Sequence, residues 1–565
     1  MKQAFIGIFT GLGAGVCLII NHEIKLAISE ERLTRIKNED KYPINGISEI
    51  KKILSKHSIS YSNCMVGFVD KYPSIEALRS FFKESENFRD KEVVVTRMYR
   101  SLSHGNERLV KNITRTLEIL PGSAINIIDH HVAHAYCLLS YKENFDYAIT
   151  CDGRGDLQSL VIWEIKDKLI VRIQTFSELS SLGFLYGQIT KLLGYKPHQH
   201  EGKITGLAAF GKSTELIIRL KEYLKLNNTN CLEASSNFAP YNSPWKMDYI
   251  SSLCHGFSKE DIAYAVQKLV EDYVISIINC YIKKNTNVFA SGGVFANVKL
   301  NQKIREKCNL NNFTVFPAMS DEGLPMGIAC YMHGQKIVNT SSMPFWGPNY
   351  NKNIIYDKIK DIIKRYDIII EEPTNISLLA AKLLVEGKIL GIFSGRSEFG
   401  KRSLGHRSIL CPAINRSFSR ELNKRLNRSD FMPFAPVTLE SQSKYLYKQI
   451  EKKDINTNYM TTCYSCKTKL RIESPAVVHI DNTARPQIVR DDENSMYVKI
   501  LRNYYKISGI PTLINTSFNL HEEPIVETIE DAIKVLNRGG VDALIVEDKW
   551  IVKQPNKSSK VENFN

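Results

Sequence analysis

Short apolar runs separated by glycine-rich turns characterise the start of the chain. The run AFIGIFT (4–10) leads into the turn GLGAG (11–15), which is followed by a second strand pattern, VCLIINHEIKLAISEE (16–31). Short, β-branched runs on either side of a tight turn favour two strands. A secretory leader is the alternative, but glycine interrupts the apolar run, which is too short to cross a membrane. The pattern therefore predicts an N-terminal hairpin.

The same plan returns further along the chain. FDYAITCDGRGDLQSLVIWEI (145–165) again has a glycine-rich turn between two apolar runs. In NVFASGGVFANVKLNQKI (287–304) and FTVFPAMSDEGLPMGIACYMHG (313–334), a strand and a glycine-bearing turn precede a helical pattern. Such turns let backbone N–H groups approach a phosphate. GxGxG at 11–15 is not a dinucleotide fingerprint, because a strand follows it where a helix is required. The repetition predicts two related α/β halves that bind a nucleotide.

A polar, proline-bearing stretch near residues 340–353 separates this region from a second α/β pattern. We predict a first domain at 1–345, a second at 354–553 and a disordered tail at 554–565. A chain of 565 residues is too long for one hydrophobic core.

Composition and charge narrow the class of protein. The residues are 43% hydrophobic and 24% charged, as in folded soluble proteins. The twelve cysteines are scattered, which is typical of a reducing cytosol, and we expect a cytoplasmic protein without a membrane segment. The net charge of +15 is spread over lysine-rich helical patterns. It is explained either by an ordinary basic surface or by binding of anions, small ones more readily than a polymer.

The segment DHHVAHAY (129–136) is the first candidate for chemistry. On a helix, the rings of His130 and His134 lie on one side, about one turn apart, and two such imidazoles can share a metal ion. Asp152 and Asp321 lie in glycine-bearing turns after apolar strands, where a carboxylate can complete such a site. Two nitrogens and one or two carboxylates suit iron, manganese or zinc better than magnesium. A buried helix whose histidines only form hydrogen bonds is the alternative.

The second half contains a basic, glycine-rich loop, GRSEFGKRSLGHRS (395–408). Its cationic side chains Arg396, Lys401, Arg402 and Arg407 can form bidentate contacts with a polyphosphate or with carbamoyl phosphate. A solvated basic loop is the alternative. Downstream, LINTSFN (513–519) places short hydroxyl and amide groups directly after a strand, where they can complete an anion site.

Taken in order, the motifs resemble those of the O-carbamoyltransferase family, which includes nodulation, tobramycin and cephamycin enzymes. The resemblance runs from about residue 4 to about 553 and rests on the segments EERLTRIK, DHHVAHA, DGRGD, SLGFLYG, EGKITGLAAFG, SGGVFAN, SDEGLPMG, GRSEFGKRSLGHRS, MPFAP, DNTARPQIV and NTSFNLHEEPIV. It implies an actin-like, duplicated ribonuclease H-like first domain and an α/β second domain that forms carbamoyl adenylate. The implied activity is ATP-dependent transfer of a carbamoyl group from carbamoyl phosphate to a hydroxyl of a sugar, natural product or nucleoside.

The resemblance also implies roles for individual residues. His130, His134 and Asp321 match iron ligands, with Asp152 bridging metal and adenylate, although another divalent transition metal can occupy such a site. Lys37 matches a lysine that faces the carbamoyl adenylate, and Gly183 and Asn297 match contacts to it. ATP, which we expect to carry Mg²⁺, and carbamoyl phosphate are implied to be held by five residues of the second domain: Arg396, Arg402, Arg428, Asn515 and Ser517.

The chain departs from the family pattern at the first turn. Leu12 stands where the family usually has a histidine that acts as the base for the acceptor hydroxyl, and an alkyl chain cannot take a proton. Either another group such as His131 takes the proton, or the acceptor needs little base assistance, or transfer is impaired. An actin-like ATPase or kinase and a non-catalytic ligand-binding descendant are the alternative functions. A nucleotide or nucleic-acid acceptor and a homodimer stay open.

Overall fold

In the computed structural model, the described residues are 3–69, 75–85, 98, 107–167, 169–235, 247–340, 343–428, 434–450 and 454–554. They form two compact units. The first comprises Met1–Glu30, Asn38–Met343 and Thr461–Cys463, and the second comprises Glu31–Lys37, Pro344–Met460 and Tyr464–Asn565. The long segment of the first unit ends at Met343, close to the predicted end of the first domain at residue 345. However, residues 31–37 group with the second unit, and residues 461–463 group with the first. Residues 555–565 of the predicted tail lie outside the described part.

Two five-stranded sheets form the framework of the first unit. Its strands are β1 (Ala4–Phe9), β2 (Gly15–Ile20), β3 (Glu23–Ser29), β4 (Cys64–Val69), β5 (Ala124–Ile128), β6 (Tyr147–Gly155), β7 (Gln158–Lys166), β8 (Leu169–Ser177), β9 (Leu224–Leu226), β10 (Leu232–Ala234), β11 (Asn287–Ser291) and β12 (Asn312–Val315). One sheet has the order β3-β2-β1-β4-β5 and the other has the order β8-β7-β6-β11-β12. β9 and β10 form a separate small hairpin.

The two sheets are topological copies. In each, the first three strands are antiparallel neighbours, a fourth strand pairs with the first in parallel, and a fifth pairs with the fourth in parallel. In β1 and β2, for example, Ala4 pairs with Ile20 and Phe9 with Gly15. The predicted hairpins are confirmed as β1–β2 and β6–β7, and so is the duplicated α/β fold of the first domain. The predicted second strand at 16–31 is wrong as one element, because a turn at residues 21–22 divides it into β2 and β3.

Helices cover these sheets because their apolar positions recur at helical spacing. In the first unit they span Ile44–Lys56, Ile75–Ser85, His130–Tyr136, Leu182–Leu192, Glu201–Leu207, Glu215–Tyr223, Asp248–Cys254, Lys259–Tyr281, Val298–Lys307 and Leu324–His333, and a short helix at Glu30–Thr34 crosses the boundary between the units. The helix His130–Tyr136, called the histidine helix below, packs closely on Leu324–His333. A Cβ on Gly327 would overlap the carbonyl group of Ala133, so the glycine allows this approach.

The second unit is built on one eight-stranded mixed sheet of order β13-β22-β21-β14-β15-β20-β16-β19. Its strands are β13 (Ile369–Glu371), β14 (Leu390–Phe393), β15 (Arg407–Pro412), β16 (Ala435–Leu439), β17 (Tyr464–Ser465), β18 (Thr483–Ala484), β19 (Gln487–Val489), β20 (Thr512–Ser517), β21 (Ala543–Val546) and β22 (Trp550–Lys553), of which β17 and β18 form a separate pair. Its helices span Lys352–Ile363, Ile376–Val385, Arg416–Arg425, Glu440–Leu446, Asn456–Tyr459, Thr468–Glu473, Met496–Ser508 and Ile529–Asn537.

Apolar side chains from helices on this sheet form two buried clusters. An α/β second domain is therefore confirmed. Within the described residues, every helix is too short or too polar to cross a bilayer.

Candidate functional site

Four side chains from separate parts of the sequence meet in the first unit. His130 and His134 come from the histidine helix, Asp152 from the end of β6, and Asp321 from the turn after β12; one ligand atom of each lies within 4.8 Å of the others. Nε2 of His134 is 3.5 Å from Oδ2 of Asp152 and 3.7 Å from Oδ1 of Asp321. Nε2 of His130 is 3.6 Å from the same Asp321 oxygen. The predicted spacing of four residues thus places both rings on one side of the helix.

The unmet hydrogen-bonding capacity of this cluster fits a metal ion. Among the described residues, Nε2 of His130, Nε2 of His134 and Oδ1 of Asp321 are buried without a hydrogen-bond partner. Buried polar atoms are costly unless they are satisfied, and ligation of a cation would satisfy all three. Two imidazole nitrogens and two carboxylates are a donor set for iron, manganese or zinc. The cluster, which we call the His–Asp cluster, could therefore hold a divalent transition metal.

Electrostatic coupling sets the protonation of the cluster. Burial alone would lower the pKa of His134, but the nearby carboxylates of Asp152 and Asp321 outweigh it and raise that pKa to about 9. Burial would raise the pKa of Asp152, but His134 and the N–H of Gly293 lower it. Burial lowers the pKa of His130. Without a cation, His134 is therefore the group that carries the positive charge at neutral pH.

Two carboxylates fix the start of the histidine helix. Oδ1 of Asp129 accepts a hydrogen bond from the N–H of Val132 at 3.0 Å, so Asp129 is the N-cap. Oδ2 of Asp156 accepts a hydrogen bond from the N–H of His130 at 2.6 Å. Asp129 also forms an ion pair with Arg172 at 3.2 Å. Asp156 therefore holds the backbone of His130 and is not a member of the His–Asp cluster.

Glycines bring the surrounding turns close to the cluster. A Cβ on Gly183 would overlap the backbone of Gly153, next to Asp152. The N–H of Gly293 donates to Oδ2 of Asp152 at 2.7 Å, and the N–H of Gly153 donates to Oδ1 at 2.5 Å. Gly183, predicted to contact the intermediate, therefore lies against the turn that carries Asp152.

His131 occupies a different environment from its neighbours. Its ring is fully buried, Nδ1 lies 2.9 Å from Oγ1 of Thr150, and that oxygen accepts a hydrogen bond from the indole N–H of Trp163. Burial, together with the nearby His130, lowers the pKa of His131 to about 3. A buried ring with so low a pKa is a weak base at pH 7, so this placement weighs against the predicted role of His131 as the base.

The first turn lies beside the segment that carries Asp321. A Cβ on Gly13 would be 3.3 Å from the backbone nitrogen of Glu322. Leu12, at the tip of this turn, is 46% exposed. The position at which the resemblance implies a histidine is thus occupied by an exposed alkyl side chain.

The side chain of Asn297 forms hydrogen bonds within the first unit. Its Oδ1 accepts hydrogen bonds from the N–H groups of Lys299 and Leu300, and its Nδ2 donates to Oε1 of Gln267 at 2.7 Å. Both ends of the side-chain amide are therefore engaged within the fold. The NH₂ group has a second hydrogen, through which Asn297 could contact an intermediate as the resemblance implies.

In the second unit, Arg428 is surrounded by the polar residues of β20 and the loop after it. Its guanidinium donates to Oγ1 of Thr516 at 2.7 Å, to Oγ of Ser517 at 2.9 Å and to Oδ1 of Asn519 at 3.2 Å. Burial lowers the pKa of Arg428 to about 10, so it stays cationic at neutral pH. The structure thus brings together Arg428 and Ser517, which are far apart in sequence.

Asn515 lies at the same end of β20 and is buried. Its Nδ2 donates to the carbonyl oxygen of Ser403 at 3.0 Å and to Oε1 of Gln487 at 2.8 Å. Oδ1 of Asn515 and Oγ of Ser403 are buried and have no hydrogen-bond partner within the described chain. An acceptor and a donor therefore remain available at this point.

The other predicted cations have mainly structural contacts. Arg396 donates through Nε to the carbonyl oxygen of Gly347 and through NH2 to that of Trp346, each at 2.7 Å. Arg407 is fully buried and donates to backbone carbonyls that include those of Ser394 and Gly395. Arg407 therefore organises the basic loop from inside, and the prediction that it binds an anion directly is wrong because no part of it is exposed.

Two further predicted residues lie in short loop or boundary segments. Arg402 is half-buried in the basic loop. Lys37 belongs to the segment 31–37 of the second unit, and its ammonium group pairs with Glu31 at 3.2 Å.

The sequence analysis did not identify several residues of the first unit that hold the histidine helix or its rings. Asp129 stands directly before the histidine helix, so its N-cap role was readable from the local sequence. Ser291, Thr150 and Gly155 gave no such signal, because their importance depends on strands that are distant in sequence from the histidine helix.

Comparison with known proteins agrees with these two units. Residues 6–330 match the family model described as carbamoyltransferase N-terminus, and residues 381–553 match carbamoyltransferase C-terminus. An uncharacterized protein of Methanocaldococcus jannaschii is 30% identical over 97% of this chain and 99% of its own length. The nodulation protein NolNO of Sinorhizobium fredii is 27% identical over 96% of this chain and 79% of its own. A 3'-hydroxymethylcephem-O-carbamoyltransferase of Streptomyces clavuligerus is 25% identical over 74% and 79%.

Proposed function

The chain belongs to the carbamoyltransferase family, and from that premise we propose that it is an ATP-dependent O-carbamoyltransferase. The second unit forms carbamoyl adenylate from carbamoyl phosphate and ATP, and the first unit transfers the carbamoyl group to a hydroxyl. The observation that best supports this division is the His–Asp cluster, which lies in one unit, while the partly buried Arg428 with its polar neighbours lies in the other.

Activation consists of two successive displacement reactions at phosphorus. The phosphoryl group of carbamoyl phosphate passes to water and leaves as inorganic phosphate, which frees carbamate. A carbamate oxygen then attacks the α-phosphorus of ATP, the bond to the β-phosphate oxygen breaks, and pyrophosphate leaves. The carbamoyl group is now attached to AMP, which is a far better leaving group than the oxide of a carbamate.

Groups of the second unit are suited to hold these anions. Arg428 keeps its charge in a partly buried position, where electrostatic stabilisation of phosphate is stronger than in water. The hydroxyls of Thr516 and Ser517 already line the guanidinium and can turn toward a phosphate oxygen. Ser403 Oγ and Asn515 Oδ1 offer the donor and the acceptor that the C=O and NH₂ of a carbamoyl group require.

In the transfer step, the acceptor oxygen attacks the carbamoyl carbon, the carbon–oxygen bond to AMP breaks, and the hydroxyl proton passes to water. His130, His134, Asp152 and Asp321 would hold a divalent transition metal, for which we propose Fe²⁺, and such an ion supplies Lewis-acid stabilisation of negative charge. The amides of Gly153 and Gly293 keep the Asp152 carboxylate in place. We take the acceptor to be a sugar, a natural product or a nucleoside; the net charge of +15 is compatible with a nucleotide.

The proposal is tested by following two products separately. The purified protein, supplied with Mg²⁺, ATP and carbamoyl phosphate, should release pyrophosphate only when both substrates are present. Arg428→Ala should reduce pyrophosphate release at least 100-fold. His130→Ala should release pyrophosphate normally but should reduce subsequent AMP release at least 100-fold.

Two exposed residues provide matched controls. Arg420→Ala removes an exposed arginine from the helix preceding Arg428, and His255→Ala removes an exposed histidine of the first unit; both should retain both activities. ATP hydrolysis that is independent of carbamoyl phosphate would favour the actin-like ATPase or kinase alternative. Release of both products at wild-type rates by Arg428→Ala and His130→Ala would refute the division of labour.

A further inference from the structure

Ser291 connects one of the cluster histidines to the segment that carries Asp321. It is the last residue of β11 and is fully buried. Its Oγ lies 3.2 Å from Nδ1 of His134 and donates to the carbonyl oxygen of Met319 at 3.3 Å. Met319 stands two positions before Asp321. A short chain of hydrogen bonds therefore links His134, Ser291 and the backbone next to another cluster residue.

The direction of this chain follows from the number of hydrogens available. A carbonyl oxygen only accepts, so the single hydroxyl hydrogen of Ser291 is directed to Met319. The hydroxyl oxygen then has only lone pairs to offer to His134, and Nδ1 of His134 must carry the hydrogen between them. In the neutral ring, one nitrogen is a donor and the other an acceptor. The lone pair therefore resides on Nε2, the atom that faces Asp152 and Asp321.

We propose that Ser291 is the positioning residue that fixes the tautomer and ring orientation of His134 for metal binding. This inference rests on the metal centre of the proposed function. A hydrogen bond to the second nitrogen of a metal-binding imidazole typically changes metal affinity by 10- to 100-fold. Different contacts hold the two rings. The ring of His130 lies directly against Gly155, whereas the ring of His134 forms a hydrogen bond with Ser291.

The test compares Co²⁺ binding by the full-length, metal-free protein and its variants. Ser291→Ala removes the acceptor and should weaken Co²⁺ binding 10- to 100-fold and alter the visible absorption of the bound ion. Ser291→Thr retains a hydroxyl and should restore affinity to within about threefold of wild type. The matched control is Ser159→Ala, since Ser159 is also a buried serine of the first unit, and its hydroxyl donates to the carbonyl oxygen of Ser177 at 2.8 Å. Both alanine variants lose a buried hydrogen bond and should have a lower thermal midpoint than wild type. The Ser159→Ala control should nevertheless bind Co²⁺ as wild type does.

A second measurement does not depend on how the variants fold. In the Zn²⁺-loaded wild type with ¹⁵N-labelled histidine, the nitrogen spectrum of His134 should show a protonated Nδ1 and a metal-bound Nε2. A protonated Nε2, or unchanged Co²⁺ affinity in Ser291→Ala, would overturn the role of Ser291 while the metal centre stands. Failure of the wild type to bind Co²⁺ or Zn²⁺ would instead remove the metal centre and, with it, the role of Ser291.

Discussion

Gly155 gives the imidazole ring of His130 the space that it occupies. A Cβ built on Gly155 would overlap Cγ and Cδ2 of that ring. Gly155 ends β6, the strand that also carries Asp152, so the same strand supplies one member of the His–Asp cluster and sets the position of another. The backbone of Gly155 does not adopt a positive φ, so a glycine is needed there for the space it leaves and not for its conformation.

Gly155→Ala should therefore disturb the metal centre more than the fold. The added methyl group must displace the His130 ring, and crowding of this kind typically costs about 1–3 kcal/mol of unfolding free energy. Because the ring moves, Co²⁺ affinity should fall at least tenfold in an equilibrium titration. Gly202→Ala is the control, since a Cβ at Gly202 has no heavy atom within 4 Å. Unchanged Co²⁺ binding in Gly155→Ala would mean that His130 is not a ligand.

Metal binding should release a proton from the His–Asp cluster. His134 has a pKa of about 9 in the metal-free protein, so it is protonated at pH 7, whereas ligation requires its neutral form. The pKa of His130 is lowered, so this residue has no proton to lose at that pH. Calorimetric titrations in buffers of different ionisation enthalpy should therefore report about one released proton at pH 7 and fewer as the pH rises through 9. A value near zero at pH 7 would contradict the predicted ionisation of His134.

Asp129 should stabilise the first unit through both its cap and its charge. Asp129→Ala removes the N-cap of the histidine helix and leaves Arg172 without its carboxylate partner, so we expect a loss of roughly 2–4 kcal/mol of unfolding free energy. Asp129→Asn retains a side-chain oxygen for the cap and should lose less. Differential scanning calorimetry of both variants checks the order, and equal losses would show that the cap contributes nothing separate from the charge.

His131 should prove structural. His131→Asn retains a polar atom near Oγ1 of Thr150, so transfer, followed as AMP release, should change by less than about tenfold, while the thermal midpoint falls because the packed ring is lost. Loss of a general base would instead slow transfer by about 10²- to 10⁴-fold with normal pyrophosphate release. Such a loss in a folded His131→Asn protein would restore the role that the sequence suggested for this residue.

The local pattern of the sequence was sufficient for the hairpins and for the duplicated plan of the first unit. Alternating apolar runs and glycine turns are read directly from neighbouring residues, and β1–β2 and β6–β7 pair as the pattern indicates. The exchange of segments between units, with residues 31–37 grouping with the second, was not readable. The local pattern of these seven residues does not indicate whether they group with the first or the second unit.

The sequence by itself determined the helical spacing of His130 and His134 and the position of Asp321 in a turn after a strand. Asp152, predicted to lie in such a turn, is instead within β6, because that strand extends to Gly155. Only the tertiary structure decided that these four side chains meet, that Asp156 serves the backbone, and that Arg407 is buried as a support of its loop. The physical reason is that helical periodicity and turn chemistry act over a few residues. Ligation, burial and the direction of a hydrogen bond depend on strands and helices that the chain brings together from more than a hundred positions apart, as with His134 and Ser291.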